Sequence, residues 1–274
     1  MTTVLVVGKG EVGEPITELS EKNNNVISFS EPVNDFSGYE DVKVDIMHIC
    51  FGYNDDFVNE AARYVNAFRP SVTIINSTVP IGTSRKIEEL TGISVVNSPV
   101  KGNIADGMKS GLMKHVKYLG ATSEEAANAA ANHFESLGIR TEYAGQPEAT
   151  ELAKLLETTY YATMIAFHQE AARMCKEAGV SYTKVGSFWD RVTQETDYRH
   201  MRPFMFPGKI GGHCLMPNVK LLKEFFPSEL LEFIEKSNQK VDSEDLHKFV
   251  REFIEYKKKR EENPYIPANK MEND

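Results

Sequence analysis

The chain has 274 residues, 31 basic and 40 acidic, for a formal charge of −9, which argues against the basic face that a nucleic-acid partner requires. A hydrophobic share of 41% excludes a disordered chain, and no apolar run approaches the ~18 residues of a membrane span. Met1-Thr2-Thr3-Val4 carries no basic n-region, so no secretory signal is expected, and Cys50, Cys175 and Cys214 show no metal-ligand spacing; together these point to a reduced, cytoplasmic protein without a metal site.

Along the chain, Thr3–Val7 is an apolar, β-branched run that stops at a glycine, and residues 26–29, 45–50 and 72–76 are of the same kind. Residues 93–96 and 116–119 make two more, while 55–68 and 123–137 between them have helical spacing. Strands alternating with helices imply a parallel sheet covered on both faces. The character changes near Gly145-Gln146-Pro147. Nothing breaks a helix over 148–178, about 45 Å of rise, before Gly179 supplies a stop. Residues 182–193 and 221–238 are helical by pattern, so the second half reads as all-α. Leu246, Phe249, Val250 and Phe253 mark a last docking helix, and 257–274 a charged, mobile tail.

Gly8-Lys9-Gly10-Glu11-Val12-Gly13 is a G-x-G-x-x-G that follows a strand and opens a helix. The first glycine permits the tight turn, the second lets backbone approach a pyrophosphate, and the third lets helix pack on strand, with the phosphates at a helix N-terminus. The acidic residue that usually binds the adenosine ribose about 20 positions on is Glu31, with Ser30 before it. No Lys or Arg adjoins them in sequence, so NAD is favoured over NADP. The cofactor contacts expected are Gly8, Gly10, Glu11, Val12, Gly13, Ser30, Glu31, Cys50, Phe51, Gly52, Ser77 and Thr78, although the Cys50 and Cys175 side chains read as core. The fold class is therefore α/β: a doubly wound Rossmann domain over 1–147, then an all-α domain over 148–256 built on one long helix.

Three further segments occur in order: Asn76-Ser77-Thr78-Val79-Pro80-Ile81-Gly82-Thr83, Glu151-Leu152-Ala153-Lys154, and Phe206-Pro207-Gly208-Lys209-Ile210-Gly211-Gly212-His213-Cys214. With the glycine turn they resemble the UDP-glucose/GDP-mannose dehydrogenase family of the 6-phosphogluconate dehydrogenase-like superfamily, over about residues 1–240. The resemblance implies an NAD-dependent oxidation of an alcohol to an aldehyde, capture by a cysteine, a second oxidation and hydrolysis. It makes Cys214 the nucleophile, places Lys154 near the reacting oxygen and Thr78 near the nicotinamide, and assigns substrate contacts to Lys154, Thr158, Phe206, Gly211, Gly212 and Asn218. Cys214 would precede a helix N-terminus that favours its thiolate. A small-molecule substrate, a sugar nucleotide or phosphosugar, and a homodimer are implied as well. The family's third, UDP-binding domain has no counterpart in these 274 residues.

The family's asparagine four residues after the lysine is Thr158 here, its aspartate four residues after the cysteine is Asn218, and its lysine before that aspartate is Pro217. A glutamate usual after its Asn-Pro or Ser-Pro is Val100. Ser98-Pro99-Val100-Lys101-Gly102, with Gly107 and Gly111, is similar to the β-hydroxyacid dehydrogenases, which make one hydride transfer with the lysine alone. Two alternatives therefore stand beside the sugar-nucleotide reading: a two-electron 3-hydroxyacid-type dehydrogenase, and an NAD-binding regulatory protein with impaired catalysis. The stripe Tyr160, Tyr161, Met164, Phe167 reads as a packing or dimer face.

Overall fold

In the computed structural model, which describes residues 2–102 and 107–262, the continuous apolar runs of the first half become the strands of one sheet. These are β1 (Thr3–Val7), β2 (Asn25–Phe29), β3 (Ile46–Ile49), β4 (Val72–Ile75), β5 (Val95–Asn97), β6 (Lys117–Ala121) and β7 (Thr141–Tyr143). Their order is β2-β1-β3-β4-β5-β6-β7. Every neighbouring pair is parallel except β5 with β6, which is antiparallel. The connections carry α1 (Gly13–Ser20), α2 (Phe57–Phe68), α3 (Thr83–Thr91), α4 (Met108–Lys114) and α5 (Glu124–Ser136).

Alternate residues of each strand face opposite layers. Val4 and Val6 pack with Ile16 and Leu19 of α1 and with Ala126, Ala130 and Phe134 of α5. Leu5 and Val7 pack with Phe57, Ala61 and Val65 of α2 and with Ile87 of α3. Both faces are thus covered, which is why the strands contain no polar alternation and could be read as uninterrupted runs. Strand β7, three residues of Thr-Glu-Tyr, gives no such signal and was not read from the sequence.

The second half folds as α6 (Pro147–Glu177), α7 (Tyr182–Glu195), α8 (Leu215–Phe225), α9 (Glu229–Gln239) and α10 (Ser243–Glu262). Proline suits the first turn of α6, where its missing N–H would have had no partner. The helix stops at Gly179, whose φ is +67°, with the Val180 N–H donating to the Cys175 carbonyl at 2.9 Å. The single helical run expected over 221–238 is two helices: Pro227 cannot continue α8, and the Ser228 hydroxyl accepts from the Leu230 N–H to start α9.

The chain divides into two compact units, Met1–Leu155 and Leu156–Asp274. The division falls inside α6 rather than before it at 147, because Glu148, Thr150 and Glu151 of its first turns bond into the sheet unit. Residues 257–262, expected in a mobile tail, are the last turns of α10 instead. The Lys259 ammonium reaches Glu255 at 2.7 Å, Arg260 lies 3.3 Å from the buried Asp190, and the Tyr256 hydroxyl donates to that same carboxylate. The rest of the expected tail, 263–274, lies outside the described residues. No helix among the described residues is long and apolar enough to cross a membrane.

Phe253 is the anchor of α10, 8% exposed and ringed by Phe204 and Phe206 at 5.1 and 5.7 Å. Phe253→Ala is expected to destabilise the second unit by about 3 kcal/mol, read from the midpoint of urea unfolding.

Candidate active site

In open α/β sheets ligands bind outside the carboxyl ends of the strands, where the strand order reverses. Here that point lies between β1 and β3, and the glycine turn follows β1. Gly8 has φ +92°, and a Cβ there would stand 2.5 Å from the Phe51 nitrogen. A Cβ on Gly13 would stand 1.9 Å from the Gly8 carbonyl oxygen and 3.1 Å from the Cys50 Cβ. Gly10 has nothing within 4 Å of such an atom, so protein packing does not account for a glycine there. Tight first and third glycines around an open second one fit a dinucleotide pyrophosphate laid over the turn. Glu11 is exposed and Val12 half-buried at the start of α1.

The Gly8 and Lys9 N–H groups donate to the carbonyls of Phe29 and Ser30, at 2.9 and 3.0 Å, which fixes the turn beside the end of β2. Ser30 and Glu31 are exposed there. The same bond brings Lys9 alongside Ser30, a cationic neighbour that distance in sequence concealed, so the preference for NAD rests on Glu31. The ladder runs one residue past each strand: Cys50 N–H to Val7, Asn76 N–H to Ile49 and Ser98 N–H to Ile75, at 2.8 to 2.9 Å. Cys50, Asn76 and Ser98 therefore share the carboxyl edge of the sheet. Phe51 is buried and Gly52 exposed, and the Ser77 hydroxyl donates to the Phe51 carbonyl at 2.6 Å. Thr78 follows, half-buried.

Sequence reasoning quoted Glu151 but gave it no work. Its carboxylate accepts from the Gly82 N–H at 2.6 Å, the Ser84 N–H at 2.8 Å and the Ser84 hydroxyl at 2.7 Å. Those are donors at the start of α3, which otherwise lack helical partners. Burial pushes this carboxyl up, while the three donated bonds draw it down. One turn later Lys154 is half-buried in the same unit as Thr78.

A second group that sequence reasoning missed lies beneath this edge. Lys117, only 3% exposed, donates to the Asn76 side-chain oxygen at 3.0 Å and to the Ser98 carbonyl at 2.6 Å. The Asn76 amide lies 3.0 Å from His48 Nδ1, and His48 Nε2 lies 2.8 Å from His133 Nε2. Because the amide donates, His48 Nδ1 accepts, and His48 Nε2–H must donate to His133. Burial lowers both imidazoles, His48 strongly and His133 to about 4, and raises the Cys50 thiol to about 12. The signal in the sequence was polar residues within apolar strand runs.

In the second unit Cys214 is exposed at the N-cap of α8. Gly211 and Gly212 before it are exposed, and Gly212 has φ +76°. The Asn218 amide donates to the Thr158 hydroxyl at 3.1 Å, and both residues are buried. Phe206, expected at the substrate, is half-buried with its ring against Phe253 and the Gly208 backbone. Among the described residues no cluster of His, Cys, Asp and Glu could hold a metal.

The chain is thus a Rossmann-like sheet unit, with the glycine turn at its strand-order reversal, followed in sequence by a helical unit. Residues 148–240 match the central domain of the UDP-glucose/GDP-mannose dehydrogenase family, so the resemblance carried by Glu151, Lys154 and Cys214 holds over that stretch. A UDP-N-acetyl-D-mannosamine dehydrogenase of Methanocaldococcus jannaschii is 25% identical over 78% of this chain and 53% of its own. One from Pyrococcus horikoshii is 27% identical over 80% of this chain and 50% of its own. A solved structure of a Pyrococcus horikoshii UDP-D-ManNAc dehydrogenase superposes with a TM-score of 0.69 at 21% identity, over 87% of this chain and 68% of that one. The chain spans about half the length of these two curated relatives.

Two substitutions test the packing. Gly13→Ala is expected to cost about 2 kcal/mol or more, since backbone must move, and Glu151→Ala about 2 kcal/mol through three unpaired donors. Chemical denaturation of each variant against the wild type measures both.

Proposed function

We propose that the chain is an NAD-dependent dehydrogenase acting on the CH–OH group of a sugar nucleotide, with Cys214 as nucleophile and Lys154 and Thr78 at the reacting carbon. The observation that carries the reading is the open Gly10 between the close-packed Gly8 and Gly13, at the strand-order reversal. The turn, the ends of β2 and β3, and Ser77-Thr78 would hold the cofactor, and a bound NAD would accept one hydride in each two-electron oxidation. A UDP-N-acetyl-hexosamine is the first substrate to try, from the names of the relatives.

In this reading the Lys154 side chain polarises the reacting oxygen and takes part in the loss of its proton as the alcohol becomes an aldehyde. The Cys214 sulfur adds to the aldehyde carbon to give a thiohemiacetal. Loss of a second hydride and a proton leaves a thioester, which water cleaves to the carboxylic acid and the free thiol. Cys214 is exposed ahead of α8, and the φ of Gly212 lets the preceding backbone turn toward a substrate. Thr158 and Asn218, four residues after Lys154 and four after Cys214, are a neutral hydrogen-bonded pair.

We also read this chain as a homodimer. Leu156, Tyr160, Phe167 and Met174 of α6 are each about half exposed or more and repeat at helical spacing, so they make one apolar stripe that a second copy would cover. Tyr160→Glu with Phe167→Glu is expected to turn a dimer into a monomer in sedimentation.

The deciding measurement is the number of NADH formed per UDP-N-acetyl-mannosamine consumed. Two are expected, with Cys214→Ala losing all carboxylate product and Lys154→Ala losing on the order of 100-fold or more in kcat. One NADH per substrate, with Cys214→Ala fully active, would establish the 3-hydroxyacid-type reaction in its place; NAD binding without turnover would mark a regulatory protein. Gly10→Ala is expected to leave stability unchanged and to weaken NAD about tenfold or more, by calorimetry.

A further inference from the structure

A lysine as buried as Lys117 is costly unless something uses its charge. Its ammonium meets no carboxylate among the groups that set its titration: the charged or titratable neighbours are the Cys50 thiol after β3 and Lys154 of α6. His48 of β3 and His133 of α5, both neutral, stand further along through Asn76. β4 and β5 present only dipoles, the Asn76 side-chain oxygen and the Ser98 carbonyl. The Phe134 ring of α5 covers a remaining side, 5.0 Å from Nζ.

We propose that Lys117 is a positioning residue for the nicotinamide half of the cofactor site, because its ammonium ties the ends of β4 and β5 together directly beneath the Ser77-Thr78 and Pro99-Val100 segments. The proposal rests on the cofactor reading above. A dinucleotide whose pyrophosphate lies on the β1 turn puts its adenosine over the β2 side and its nicotinamide over the β4 and β5 side. Lys117 holds Asn76, which immediately precedes Ser77, and the Ser98 carbonyl, which immediately precedes Pro99. The adenosine side is fixed separately, by the bonds of Gly8 and Lys9 to Phe29 and Ser30. Lys117 should therefore matter to one half of the ligand and not to the other.

The charge is also conditional. Burial and Lys154 bring the Lys117 ammonium from its ordinary 10.5 down to about 7. A lysine lowered on folding costs stability in full below the folded value, and the cost fades as pH rises toward the unfolded one. The fold would be better off without this charge in neutral and acid solution, while the binding edge would be worse off. A residue with a merely structural role would lower both together.

The test measures NADH and ADP-ribose affinity by calorimetry, from about pH 6 to about pH 9, with thermal melting alongside. In the wild type NADH affinity is expected to fall as pH climbs through neutrality, while ADP-ribose affinity does not follow it. Lys117→Met should bind NADH about tenfold more weakly at the acid end, without that pH dependence, keep its ADP-ribose affinity, and melt no lower than the wild type. Asn76→Asp, which gives the ammonium a counter-charge, should move the fall in NADH affinity to higher pH even if the methionine variant does not fold. NADH binding by Lys117→Met equal to wild type, an equal loss of ADP-ribose, or an unmoved pH profile in Asn76→Asp would overturn the proposal and leave the cofactor reading standing. A wild type that binds neither ligand would overturn both.

Discussion

The architecture of the first unit depends on how closely α1 approaches the end of β1. The Gly13 Cα lies so near the Gly8 carbonyl that no side chain fits between them, and Gly8 itself is pressed against the backbone of Phe51. That contact aims the start of α1 at the carboxyl edge of the sheet. It also brings β3 in beside β1, so that Cys50, Asn76 and Ser98 line up along one edge. With the backbone locked at both flanking glycines, the open space over Gly10 is a fixed feature rather than a consequence of mobility.

The same edge is held from the other side by the first turns of α6. Glu151 takes up three donors at the start of α3, Glu148 pairs with Arg85, and the Thr150 hydroxyl donates to the Asn97 side chain at 2.7 Å. The loop from Ser77 to Gly82 is therefore clamped at one end by Phe51 and at the other by Glu151. Fixed donors and acceptors of this kind cost little reorganisation when a ligand arrives. Lys154, on the same face of chemistry but one turn on, is carried by the helix that makes the clamp.

Much of this was legible beforehand. Strands β1, β3 and β4 are nearly unbroken apolar runs because both faces are buried, and the glycine turn was readable because strand, turn and helix occur in order. The long helix had no breaker between Pro147 and Gly179. What escaped was of two kinds. Short polar elements such as β7 carry no periodicity, and the split between α8 and α9 depends on Pro227 and Ser228, which local pattern alone underweighted. The buried Lys117, His48 and Asn76 escaped because each sits in an otherwise apolar run, and only tertiary pairing shows that they bond to one another rather than to solvent. Glu151 was visible as a letter in a motif, but that it closes the N-terminus of a helix 67 residues earlier is a fact of the fold.

The reversal of β6, which β7 follows, has a consequence for which amino acids can reach the carboxyl edge of β4 and β5 at all. In the parallel part of the sheet a strand's opening residue lies at the far edge, away from the ligand side. β6 runs the other way, with Ala121 beside Val96 and Gly120 beside Asn97, so its opening residue projects past the end of β5. That direction, and nothing in the local sequence, is what delivers a long basic side chain to Asn76 and Ser98 at the ends of β4 and β5. A homologue with β6 inverted would have to recruit its cation from another segment.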